Sequence, residues 1–203
     1  MNMSALEKRF VNAEGHSRSV ANLFERRLRH IPDVSPGMRY LDVGCGNGAA
    51  AARMATAFGL EVTGVDADPE QVRLARAAAN DIRLGAVRGS VRFEEARVER
   101  LPFPDEAFEI VGTNKMTHHV PDWSAAIAEM ARVLARGGYL VYGDFVFPEW
   151  LARLGRRVVP GAGYPTVRGL EAAADAAGMA PIQWTRGLVT LEAVWWKPGP
   201  PVR

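Results

Sequence analysis

The chain has 203 residues, enough for one domain with a substantial core and too few for two ordinary domains. Hydrophobic residues make up 48% and charged residues 24%, which excludes disorder over most of the length, and no apolar run approaches the roughly 18 residues of a membrane span. A net charge of +2 leaves no electrostatic footprint for nucleic acid, and the sole cysteine, Cys45, excludes an intrachain disulfide and a cysteine-based metal cluster, so no metal is expected. Met1 to Phe10 lack an apolar signal core, so a cytoplasmic location is expected.

The first pattern is helical. Leu6, Phe10 and Val11 fit one face of a short helix, and Val20, Leu23, Phe24, Leu28 and Ile31 fit the 3.6 period of a second. Arg26, Arg27 and Arg29 lie within that second pattern and read as a solvated face. After the loop marked by Pro32 and Pro36-Gly37, Tyr40-Leu41-Asp42-Val43 reads as a buried strand. Gly44-Cys45-Gly46-Asn47-Gly48 follows as a turn, and the small residues of 49–58 suit a helix packed closely on a sheet. Residues 61–65 form a second strand, with Asp68-Pro69 starting the next helix. Strands are expected at Val91-Arg92-Phe93 and Phe108-Glu109-Ile110-Val111, and a helix capped by Asp122 should end at a left-handed Gly137-Gly138. A fifth strand spans 139–145. Helices are expected near 150–157 and over 167–177, separated by a Pro/Gly-rich loop at 160–165. The strands at 182–185 and 189–196 lie so close in sequence that they must pair antiparallel. The alternation of strand and helix argues for an α/β fold, a parallel sheet with helices on both faces.

A strand, a turn with glycines at 44, 46 and 48, and a helix bring a ligand against backbone, with free N–H groups at the helix start. Gly44-Cys45-Gly46-Asn47-Gly48-Ala49 also satisfies the dinucleotide pattern, and Asp66 stands where a ribose-binding acid belongs in either case. Asp42 separates the two ligands. A carboxylate two residues before the turn would repel the phosphates of a dinucleotide. S-adenosylmethionine (SAM) carries an ammonium and a sulfonium and no phosphate, so the acid favours it. An NAD(P)-dependent oxidoreductase remains the competing class.

The sequence resembles the class I SAM-dependent methyltransferases, in particular the small-molecule branch that includes the ubiquinone/menaquinone-biosynthesis C-methyltransferases. The resemblance rests on Leu41-Asp42-Val43-Gly44-Cys45-Gly46-Asn47-Gly48, on Val62-Thr63-Gly64-Val65-Asp66, and on Leu101-Pro102-Phe103-Pro104-Asp105 with the strand after it. His118-His119-Val120-Pro121-Asp122-Trp123 and Leu134-Ala135-Arg136-Gly137-Gly138-Tyr139-Leu140 complete the series, in family order over about 39–145. It implies a Rossmann-like, doubly wound sheet of seven strands, mostly parallel, with the last antiparallel. As one domain, residues 1–32 would form an N-terminal helical lid, 33–145 the SAM-binding core, and 146–203 a substrate-side insert with the closing strands. Asp42, Gly44 and Gly46 would border the methionine part of SAM, Asp66 the ribose hydroxyls, Val98 the adenine edge and Asn114 the methionyl group, with Asn47, Gly48, Ala67 and Arg97 as further cofactor-binding candidates. The sequence departs from the family at Arg97, where members carry an acid that accepts from the adenine amino group. Arginine offers donors only, leaving Glu95 or Glu99 as substitutes and a catalytically silent SAM-binding protein as a further alternative.

Methyl transfer from a sulfonium needs positioning, exclusion of water and, for an oxygen or nitrogen acceptor, a base. His119 and His118 are the base candidates, because their loop opens at the carboxyl ends of the strands. His16 could belong to a lid, and Asp144 could reach substrate or cap the strand end. The expected partner is a small-molecule methyl acceptor, framed by 1–32 and by 146–166, where Phe145, Phe147, Trp150 and Tyr164 suit either an apolar ligand or ordinary packing. Trp195-Trp196 fits alternate burial in the last strand or, as a second reading, a homo-oligomer interface.

Overall fold

The computed structural model describes residues 14–29, 31–80 and 89–200, with side chains from Ala21 onward. In chain order the elements are α1 (Glu14–Leu28), β1 (Arg39–Val43), α2 (Ala49–Phe58), β2 (Glu61–Asp66), α3 (Pro69–Asn80), β3 (Ser90–Glu95) and β4 (Phe108–Asn114). A short 3-10 turn (Thr117–His119) follows, then α4 (Trp123–Val133), β5 (Leu134–Phe145), α5 (Glu149–Val158), α6 (Val167–Ala176), β6 (Ala180–Arg186) and β7 (Thr190–Trp196). The expected helix at Leu6–Val11 lies outside the described residues, and His16 falls in α1 before its side chains are described.

The strands form one seven-stranded sheet in the order β3-β2-β1-β4-β5-β7-β6. All neighbours run parallel except β7, which is antiparallel to both β5 and β6. Adjacent residues of the central strands enter opposite cores, as the pleat requires. Tyr40, Val62, Ile110 and Val141 pack with Phe24, Leu28 and Met54 on one face. Leu41, Val111, Leu140 and Trp195 pack with Ile127, Met130 and Leu170 on the other. Strands buried on both faces read as near-continuous apolar runs, which is why β1 and β4 were visible without alternation.

Helix ends follow local chemistry. Asp122 caps α4 by accepting from the Ala125 N–H at 3.0 Å, and Thr166 caps α6 by accepting from Gly169 at 3.1 Å. The Gly137-Gly138 helix end is not found. Helix α4 stops at Val133, and Leu134 is already extended and paired with Phe108. The positive φ of Gly137 (81°) lies instead inside β5, beside the register shift between Phe108 and Ile110. Here strand pairing overrides the local glycine signal.

Two further expectations change. Arg27 is not part of a solvated face: it is 6% exposed, while Arg26 and Arg29 remain outside. Trp195 is buried against Tyr142 and Trp184, with ring centroids 5.6 Å apart in both pairs, and Trp196 is half-buried, so alternate burial explains the pair. Among the described residues, no helix is long and apolar enough to cross a membrane.

Candidate active site

Strand order reverses between β1 and β4: β1 leads outward to β2 and β3, and β4 leads the other way to β5. Such a switch point leaves a crevice at the carboxyl ends of the strands. The glycine turn stands on one side of it and the Thr117–His119 turn on the other.

The turn is built by backbone. The N–H groups of Gly44 and Cys45 both donate to the Val65 carbonyl, at 2.9 and 3.0 Å, folding the turn over the end of β2. Gly44 and Gly46 have φ of 76° and 53°, a region that side chains with a Cβ rarely adopt. A Cβ at Gly44 would also collide with the side chain of Met116, across the crevice. At Gly48 the space a Cβ would need is filled by Phe93 and Ala75, so that glycine serves close packing of α2 onto the sheet. Asn47 accepts from the Ala49 N–H at 3.3 Å, inside the turn.

Two acids lie beneath this turn. Asp66 accepts from the Gly46 N–H and the Asp68 N–H, both at 2.9 Å, which locks the turn to the end of β2. A carboxylate has further lone pairs, so Asp66 can still accept from a ligand hydroxyl. Burial raises its pKa despite those donors. Asp42 is 2% exposed, and its Oδ2 has no hydrogen-bond partner among the described residues. Burial first, then the nearby Asp66, raise its pKa to about 7. Burial thus favours the neutral acid, and a cation brought beside the unpartnered oxygen would favour the carboxylate. Ala67 is exposed beside Asp66.

Arg97 is exposed. Its guanidinium pairs with Glu99 at 2.9 Å on an exposed surface, while Val98 beside it is buried in the core. The short turn carrying both closes through Arg100 N–H to Arg97 carbonyl at 3.1 Å. Glu95 is exposed at the end of β3, in register with Asp66. Asn114 is half-buried at the end of β4, where its side-chain oxygen accepts from Arg27 at 3.4 Å. Arg27 also pairs with Glu192 at 3.2 Å, so one guanidinium ties α1 to β4 and β7. Gly143 is glycine because a Cβ there would strike that guanidinium. Arg27 lies on the apolar stripe itself, at the spacing 20, 23, 24, 27, 28, 31, and that spacing was the signal for its burial.

Across the crevice the geometry comes from side chains. His118 Nδ1 lies 2.6 Å from Asp144 Oδ1. Asp144 is 3% exposed and also accepts from the Thr117 hydroxyl at 2.6 Å, the His118 N–H at 3.2 Å and the Phe145 N–H at 2.7 Å. Thr117 has one proton to give and spends it on Asp144, so the Tyr142 hydroxyl, 2.7 Å away, donates to Thr117. An acceptor-only carboxylate places the imidazole proton on Nδ1 and leaves Nε2 as a proton acceptor. His119 stacks at a tilt on His118, centroids 4.0 Å apart, and Phe145 meets His118 edge-on at 5.1 Å. Asp144 and the two neighbouring rings thus fix the orientation of His118. Thr117 and Tyr142 carried no signal in the sequence, since a polar contact across 25 residues has no local pattern.

A separate recess of about 420 Å³ opens at the opposite, amino ends of the strands, lined by Arg39, Thr63, Arg92 and Phe103 among others. None of the candidate site residues borders it. Arg39 there is held in a bidentate pair with Glu109.

A doubly wound sheet carries a glycine turn over one buried acid, Asp42, and one half-buried acid, Asp66. The methyltransferase domain family matches residues 41–142. The 27-O-demethylrifamycin SV methyltransferase of Amycolatopsis mediterranei is 43% identical over 121 residues, 59% of this chain and 43% of that protein. Among solved structures, the putative methyltransferase in complex with the Trm112 methyltransferase activator of Haloferax volcanii has a TM-score of 0.74 at 19% identity, covering 95% of this chain and 98% of that one. A geranyl diphosphate methyltransferase in complex with SAM has a TM-score of 0.72 at 17% identity, covering 92% of each chain. At those identities the two structures show the fold. The chain belongs to the methyltransferase domain family, within the class I SAM-dependent methyltransferases, whose cofactor is SAM. It spans between about a third and somewhat over half of the length of the curated relatives it matches. The family leaves the dinucleotide oxidoreductase and the catalytically silent protein without support.

Proposed function

We propose that the protein transfers a methyl group to a hydroxyl oxygen of a small, largely apolar molecule, with His118 as the general base and Asp144 as the residue that positions it. The observation that carries this reading is the 2.6 Å contact between His118 Nδ1 and the buried Asp144. SAM supplies an already activated methyl on a sulfonium, so the protein has to hold, align and shield. In this reading residues 33–145 form the cofactor core. Asp42 faces the positive charge of SAM, Asp66 accepts from the ribose hydroxyls, Gly44 and Gly46 admit the methionine part to the backbone, and Asn114 stands beside it. Ala67 and Val98 flank the nucleoside, and Arg97, already paired with Glu99, takes no part. Helix α1 and residues 146–166 frame the acceptor.

A hydroxyl is a poor nucleophile until its proton leaves. His118 Nε2 takes that proton, and the Asp144 carboxylate stabilises the imidazolium that results. Thr117 and Tyr142 keep Asp144 from rotating. A carbon acceptor already activated by conjugation would not require this pair, and the 27-O specificity in the name of the rifamycin relative supports oxygen. The test is single-turnover methyl transfer from labelled SAM to a panel of phenols, aliphatic alcohols, amines and enolisable carbons. Transfer to hydroxyls that is lost in His118→Ala with SAM affinity unchanged is the expected result. Undiminished turnover in that variant would remove the base.

A further inference from the structure

We propose that α5 and the β6–β7 turn dock this protein on an anionic lipid surface, with the acceptor side of the crevice facing the lipid. Six of the seven large hydrophobic side chains that stay exposed among the described residues lie in two segments. Trp150, Leu154, Val158 and Val159 belong to α5 and its end, and Leu188 and Val189 to the turn between β6 and β7.

These are not scattered. At 3.6 residues per turn, Trp150, Leu154 and Val158 fall within about 80° of the α5 surface. The adjoining arc holds Ala152, which is buried, and Leu151 and Gly155, which are half-buried; a Cβ at Gly155 would collide with the ring of Tyr164. The apolar arc of α5 therefore extends well beyond the part that the fold covers wholly or partly. The remaining arc carries Arg153, Arg156 and Arg157, against one acid, Glu149. A helix with tryptophan and leucine on one face and arginines along its flank lies in the plane of a bilayer interface, apolar face inward. Arginines beside that face select negatively charged lipid.

The second segment belongs to the same end of the molecule. The Val146 N–H donates to the Val189 carbonyl at 3.0 Å, three residues before α5 begins, and Gly187 and Thr190 close the turn at 2.9 Å. Leu188, at 98% exposed, is the tip, with Arg186 beside it. Phe145, whose ring meets His118, pairs with Thr190 at the base of this turn. Docking therefore brings the mouth of the acceptor side against lipid, where an apolar acceptor is concentrated. Only that last consequence rests on the proposed function; the docking surface stands on exposure, helical spacing and charge.

The experiment is vesicle flotation of the full chain with phosphatidylcholine vesicles and with equimolar phosphatidylcholine and phosphatidylglycerol, at low and high salt, alongside SAM titration and light scattering. The expected result is binding to the mixed vesicles that weakens with salt. Leu154→Glu should lower it at least tenfold. The triple change Arg153→Gln, Arg156→Gln and Arg157→Gln should lower it about a hundredfold on mixed vesicles, the product of three surface charges. SAM affinity should be unchanged in both variants, which shows that they fold. Absence of binding by the folded chain to either vesicle would overturn the proposal. So would a dimer that Leu154→Glu dissolves without altering flotation, because a second copy would then cover this face. Vesicle binding that survives while no hydroxyl acceptor is found would leave the docking surface intact and remove the oxygen reading alone.

Discussion

On one side of the crevice, proposed for the cofactor, Gly44, Gly46 and Asp66 are joined through backbone N–H groups at the ends of two adjacent strands. On the other side, proposed for the acceptor, Thr117, His118, Tyr142 and Asp144 are joined through side chains that lie 25 to 27 residues apart. The first arrangement depends on backbone geometry and tolerates variety in the side chains around it. The second depends on four side chains and collapses when one is shortened. A fold that keeps SAM fixed while acceptors change can be expected to divide its site in this way, because the backbone half is set by the sheet and the side-chain half is free to vary.

The comparison breaks most sharply at His118. Replacement by alanine should lower the turnover number by about 10²- to 10⁴-fold, the range for loss of a general base, with the dissociation constant for SAM unchanged. Asp144→Asn should give a smaller loss in the same parameter, since Nε2 remains but the imidazole loses its anchor. A rise in KM with no change in kcat would place both residues in binding instead.

On the other side, Asp66→Ala should weaken SAM binding by about 1–3 kcal/mol, because it removes a charge-assisted acceptor and frees the Gly46 and Asp68 N–H groups that hold the turn. Calorimetric titration checks it. Unchanged affinity in a folded variant would take Asp66 out of the cofactor site.

Asp42 links charge to pH. Its folded pKa is raised to about 7, above the ordinary carboxylate range of the unfolded chain. Its contribution to stability is thus fully present below that ordinary range and lost as pH rises through about 7. A bound cation reverses the preference by favouring the carboxylate. Wild-type protein without SAM should therefore lose stability across this window, and its affinity for SAM should rise there with release of a proton. Asp42→Asn should bind SAM more weakly, show a flatter pH profile, and melt higher than wild type above about pH 7 in the absence of ligand. Identical pH profiles for the two proteins would dissociate Asp42 from the ligand.

The smallest effect is expected at Arg97. Its guanidinium is exposed and paired with Glu99, an arrangement usually worth less than about 1 kcal/mol. Arg97→Ala should leave SAM affinity within a factor of about two. A larger loss would mean that the adenine edge is held from this turn.

The sequence by itself determined the alternation of strands and helices, the antiparallel closing pair, the Asp122 cap and the acid-flanked glycine turn. Each of these is written within a few residues, where propensity, period and turn chemistry act directly. It also placed Asp66 at the end of β2, beneath the glycine turn, by spacing alone. Tertiary structure decided the rest. Strand pairing moved the start of β5 to Leu134 and made Gly137 a bulge rather than a helix cap. Contact between α1 and the sheet buried Arg27 against Asn114 and Glu192. Packing of the 3-10 turn onto β5 brought His118 and Thr117 to the buried Asp144. These are contacts between polar groups distant in the chain, whose worth depends on burial and geometry that exist only once the sheet has formed.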